Sequence, residues 1–156
     1  MNTETKRIVS LLQETFNGDP WPGLPIKTIL LGISATEAIR HPIPAGHSIW
    51  ELVSHMTVWR NFAAEKLQGN ALFDIMTTQE DWPLPSITSE IAWLETLSGL
   101  DSSQHKLTGL LASYKDSQLT EIVPGRTYSF YYLLHGIIQH DFYHLGQIAL
   151  LKKAVK

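Results

Sequence analysis

The chain has 156 residues, 44% of them hydrophobic and 17% charged. That length and balance fit one domain, residues 1–156, able to bury a core without disulfides, and exclude disorder and fibrous repeats. Twelve Lys and Arg against fifteen Asp and Glu leave a net charge of -3 with no basic stripe for nucleic acid, and the absence of cysteine restricts any metal to His, Asp or Glu.

The N-terminal segment is polar and helical in period. Ile8, Leu11, Leu12 and Phe16 share a face, and Asn17-Gly18-Asp19-Pro20 supplies a stop, so a first helix is expected over residues 3–17. No signal-like block and no membrane-length apolar run follow, which predicts a soluble, cytoplasmic protein with no membrane partner. Prolines at 20, 22, 25, 42 and 44 make residues 18–47 mostly connection, with one short helix in IKTILL.

Ser48 and Glu51 form an S-x-x-E capping box that opens a second helix, expected to reach Gln68 and stop at Gly69. Its apolar stripe reads Leu52, Met56, Trp59, Phe62, Ala63 and Leu67. His55, three residues after Leu52 and four before Trp59, is thereby turned toward the core.

Residues 69–87 lack a sustained period and carry Pro83 and Pro85, so a loop with an aromatic plug at Trp82 is expected there. A third helix spans roughly Thr88 to Tyr114 and buries Ile91, Leu94, Leu97, Leu107, Leu110 and Leu111. After the turn at Pro124-Gly125, Ser129 caps a fourth helix from Phe130 to about Lys153. Its inner stripe reads Leu133, Ile137, His140, His144, Gln147 or Ile148, and Leu151. No β alternation and no repeat compete with an all-α four-helix bundle joined by long connections.

Spaced i to i+4, His140 and His144 stack on one helix face, close enough to share a cation. Seven histidines in this length would give about 0.3 such helical pairs by chance, so the spacing alone leaves open a plain pair at the surface or core edge. His55 shifts the balance. Three inward imidazoles on apolar stripes would each cost several kcal/mol of desolvation unless partnered, and one divalent cation would satisfy all three while keeping a coordination position open.

His140-Asp141-x-x-His144 also mimics the H-E-x-x-H metalloprotease motif. Asp is a methylene shorter than Glu, however, and only twelve residues follow His144, so a third ligand has to come from upstream. His135, some 140° round the helix from His140, His41 and His47 near the prolines, and His105 in a polar patch receive no ligand role. Gln147 reads equally as a partner of His144 or as a polar edge residue. Trp59, Trp82, Trp93 and Phe142 read as core or as pocket lining, and Arg126 as a solvated turn residue or an anion holder. Nucleotide-cradling loops and a G-x-S-x-G elbow are absent.

SIWELVSHMTVWRNFAAEKLQG, the DWP tripeptide at 81–83, and PGRTYSFYYLLHGIIQHDFYHLGQIALLKK resemble the DinB-like superfamily, named for DNA-damage-inducible members. The resemblance covers nearly the whole chain. It implies a four-helix bundle in up-down-down-up order, often a homodimer, that binds zinc, nickel or manganese through three His, by position His55, His140 and His144. Relatives include low-molecular-weight-thiol-dependent transferases, a mycothiol-dependent isomerase and proteins described as metal-dependent hydrolases.

The expected function is therefore a divalent-metal-dependent enzyme that activates a small thiol cosubstrate or water against a small-molecule substrate. Asp141 is the one adjacent acid available as a base. The rival is a non-catalytic, metal-stabilised stress-response or binding bundle.

Overall fold

A computed structural model describes residues 3–156, and among them every regular element is helical. Helix α1, Thr3–Asn17, is buried through Ile8, Leu12 and Phe16, while Leu11 stays half exposed. Its first turn leaves amide N–H groups without intrahelical partners. The Asp116 carboxylate accepts from the backbone of Thr3, Glu4 and Thr5 at 2.8–3.2 Å. The Thr5 amide contributes most to holding that carboxyl down at about 2.

The proline-rich connection contains two short helices rather than one: α2, Ile26–Leu30, and α3, Ala35–Ala38. The second is set by a capping box of Ser34 and Glu37. Helix α4, Ile49–Leu67, starts where Ser48 accepts from the Glu51 amide at 3.2 Å, and the Glu51 carboxylate accepts from the Ser48 amide at 2.7 Å. Residues 69–87 hold a further turn, α5, Thr78–Asp81, capped by Thr77 and Glu80.

Helix α6, Glu90–Ala112, differs from expectation in the face it buries. Ile91 and Leu94 are 71% and 61% exposed, and the inner row is Trp93, Leu97, Leu100, Gln104, Leu107 and Leu111. That row repeats at alternating steps of four and three, a cleaner helical stripe than the expected set. Trp93 anchors it by donating its indole N–H to the Ile33 carbonyl at 2.7 Å. A 3-10 turn at Asp116–Thr120 and one isolated antiparallel bridge, Ile122 with Ser129, lead into α7, Phe130–Val155, capped by Ser129.

The four long helices form a bundle in which α4 lies against both α6 and α7, and α1 closes the ring by touching the same two. The core divides into two clusters. One gathers Trp50, Leu52, Met56, Trp93 and Ile148; the other gathers Ile8, Leu12, Phe62, Leu107 and Leu134. Among the described residues no helix is long and apolar enough to cross a membrane.

Candidate metal centre

Three imidazoles meet where α4 crosses α7. His55 and His144 are buried and His140 half-buried. His140 Nε2 lies 2.9 Å from His55 Nε2 and 3.0 Å from His144 Nε2, so the three sequence-selected nitrogens converge. They form a group able to hold a metal ion.

Hydrogen bonding on the far side of two rings fixes what they offer. His55 Nδ1 sits 2.9 Å from the Asp81 carbonyl and 3.0 Å from Asp81 Oδ1. Both oxygens can only accept, so His55 carries its proton on Nδ1 and turns a bare Nε2 inward. His144 Nδ1 donates likewise to Gln147 Oε1 at 2.8 Å, leaving its Nε2 lone pair inward too.

His140 thus faces two acceptors. A single N–H on its Nε2 could answer one of them, never both. Its own Nδ1 is buried without a hydrogen-bond partner among the described residues. His55, His140 and His144 would all be satisfied at once by donating these inward lone pairs to one divalent cation. With metal–nitrogen distances of about 2.0–2.1 Å, tetrahedral ligands stand about 3.3 Å apart, so the observed separations fit after an outward shift of a few tenths of an ångström.

The electrostatics agree. Burial, then the His144 and His55 charges, push His140 down to about 3. Burial is also the main cause lowering His55 and His144, against the opposing pull of Asp81 and Gln147. All three rings are neutral at pH 7, the form a metal requires.

The segment between α4 and α6 supplies the rest of the site. Pro83 disfavours helix at the residue before it, so α5 ends beside Trp82 and leaves the terminal Asp81 carbonyl free to accept from His55. Asp81 Oδ1 also accepts from Trp59 Nε1 at 2.9 Å. Trp82 lies nearly parallel to His55, ring centroids 3.7 Å apart, and its other face stacks on His47 at 3.5 Å. The expected plug is therefore a stacked cover.

Asp81 and His47 were not singled out by sequence reasoning. The DWP tripeptide was the only signal for the first, and periodicity gave none for the second. Asp81→Ala removes the carboxylate and leaves the carbonyl, so metal affinity should fall about tenfold, the low end for partners that orient a ligand. A competition titration with a zinc chelator reads this, and unchanged affinity would mean the carbonyl alone positions His55.

The remaining candidates lie elsewhere. Asp141 is sealed inside the bundle, its Oδ2 accepting from Arg60 Nη2 at 2.7 Å, and is thus committed to a structural ion pair. His41 is bound to Glu51 at 2.6 Å, His105 Nδ1 donates to the Asp101 carbonyl, and His135 packs on Tyr131. Arg126 pairs with Asp74. Trp93 is core, Phe142 is half-buried against it, and Trp59 and Trp82 border the imidazoles.

One cleft reaches the cluster itself and a second lies beside the residues that support it. The first, about 220 Å³, ends on His140; the second, about 200 Å³, includes His47 and Gln147. A larger hollow of about 560 Å³ between α1 and α6 contains none of the three histidines.

No curated protein and no solved structure matches the chain. The model of the DinB superfamily matches residues 27–148, a span holding the three histidines together with His47, Asp81, Trp82 and Gln147. With that match over most of its length, the chain belongs to the DinB superfamily, a metal-binding one.

Proposed function

We propose that the protein is a divalent-metal-dependent enzyme that directs a small thiol against a compact electrophilic substrate, with His55, His140 and His144 as the metal ligands. The observation that carries this reading is the convergence of three neutral Nε2 atoms, two of them fixed as acceptors by Asp81 and Gln147. Zinc and nickel suit an all-imidazole donor set, and manganese is the third candidate. When bound, such a cation lowers the pKa of a thiol or water presented to it and fixes the nucleophilic atom.

Thiol is favoured over water by what the neighbouring carboxylates are doing. A hydrolase profits from a free general base beside its nucleophile. Asp81 already accepts from His55 and Trp59, and Asp141 is closed off against Arg60. A thiol needs less help, because it starts far more acidic than water and metal contact would deprotonate it outright. The chain has no cysteine to act in its place. A cleft on His140 and a second one beside His47 and Gln147, which contact Trp82 and His144, also suit a reaction with two substrates.

The test is turnover of a chlorinated nitroaromatic with glutathione, bacillithiol or mycothiol, by protein loaded with zinc, nickel or manganese. Ester hydrolysis without thiol is measured in parallel. Thiol-dependent and metal-dependent turnover that vanishes in His140→Ala is expected. Hydrolysis indifferent to thiol would replace the transferase reading with the hydrolase. No turnover of either kind, with metal still raising the melting temperature, would leave the stabilised binding bundle.

A further inference from the structure

The cleft that ends on His140 has a composition of its own. Leu133, Gly136, Ile137 and His140 line it from α7, and their spacing of three, four and seven residues places them in one stripe leading to the imidazole cluster. Trp59, Tyr128 and Tyr132 line the rest. The one polar atom of the Trp59 ring is already spent on Asp81, so the indole offers carbon to the cleft. Among the described residues no carboxylate, ammonium or guanidinium lines it.

Gly136 gives the cleft its depth. It sits inside a 26-residue helix, where glycine is a weak former. Among the described residues no atom beyond its own helical neighbourhood lies within 4 Å of where a β-carbon would stand. Any larger side chain there would project into the space in front of His140.

We propose that this cleft receives a flat, uncharged aromatic ring of the substrate and presents the ring's reacting substituent to the imidazole cluster; this rests on the metal-dependent reading above and names its substrate class. The volume, about 220 Å³, exceeds the roughly 150 Å³ of an apolar cavity that accepts benzene, so one ring with a short substituent fits. Three aromatic side chains favour a ring over an aliphatic chain, since offset and edge-on ring contacts add to the burial of area. A charged ligand would lose its hydration against walls in which the described residues place no opposite charge.

Binding of benzyl alcohol, cyclohexylmethanol and benzoate, measured by saturation-transfer NMR and calorimetry on zinc-loaded and on chelator-treated protein, tests the assignment. Benzyl alcohol should bind in both states. Cyclohexylmethanol, similar in size but puckered, should bind several-fold more weakly, as should benzoate to the metal-free protein. Gly136→Leu should weaken benzyl alcohol by about tenfold or more, because the added side chain occupies its place. Gly136→Ala, which improves helix propensity, should give an intermediate loss, and Tyr132→Ala, at an exposed position, a loss of a few-fold.

Equal binding of the ring and its saturated analogue would overturn the aromatic assignment. Undiminished binding of benzyl alcohol in Gly136→Leu and Gly136→Ala, with the helical circular dichroism intact, would overturn the location. Reading the metal-free protein separates the two claims: ring binding without any metal uptake would sink the metal reading and leave the cleft, and metal uptake without ring binding would do the reverse.

Discussion

His140→Ala will abolish stoichiometric metal binding. His140 Nε2 stands between the other two inward nitrogens, 2.9 and 3.0 Å from them, so its loss leaves two donors with no bridge. The expected fall in affinity exceeds the roughly 10–100-fold that orienting partners control. His55→Ala and His144→Ala should behave alike, while His41→Ala and His105→Ala should leave metal content unchanged. Elemental analysis after dialysis against zinc is the measurement, together with the rise in melting temperature on adding zinc, which should vanish in the three cluster variants. Full zinc occupancy in any of those three would discard the site.

The unsubstituted protein should also respond to pH in the metal-free state. His140 is held at about 3, whereas an unfolded histidine takes its proton near 6.5. Below about pH 6.5 the unfolded chain therefore binds more protons than the folded one, and stability falls as pH drops. Burial lowers His55 and His144 in the same direction. Thermal melts of chelator-treated protein between neutral pH and pH 5 should show this decline, and His140→Ala should make it shallower.

The second large effect concerns the ion pair behind the cluster. Arg60 is 0% exposed and Asp141 1%, and the guanidinium also reaches the Met56 carbonyl and Gln104 Oε1 at 3.3 Å. Burial pushes Asp141 up to about 6 and lowers Arg60, so each group is strained toward its neutral form and held charged by the other. Asp141→Ala strands a buried guanidinium and should cost about 3–5 kcal/mol. In a chain of this size that lowers the melting temperature by roughly 10 °C or more.

Arg60→Met combined with Asp141→Leu should be much milder than either single change, and neutral to about 1–4 kcal/mol stabilising if the volume is filled. Calorimetric melts of the two single variants and the double decide it. A double variant as unstable as Asp141→Ala would mean that the pair's shape, rather than its charge balance, is what the core needs.

Much of this was legible in the sequence because it is local. The Ser48–Glu51 box sets the phase of α4 and so aims His55; Ser129 does the same for α7 and its two histidines. Arg60 was readable in principle. It lies four residues after Met56 on the same stripe, but a charged residue there looks like an interruption until its partner on α7 is known. Asp81 was not readable, because residues 69–87 fold back through tertiary contact and carry no period. On α6, counting leucines mixed two registers, and Trp93, not Ile91 or Leu94, marks the inner face.

One short stretch of chain grips His55 twice, by the Asp81 acceptors at its edge and by the Trp82 indole across its face. Tether and shutter are thus neighbours in sequence and cannot be released separately. Whatever lifts the stretch uncovers the imidazole and at the same moment frees it to swing and to change tautomer. Access and ligand readiness consequently oppose each other: the posture that best prepares His55 to coordinate is the one that most obstructs its flank, and the cleft that reaches the cluster at His140 opens along α7 instead.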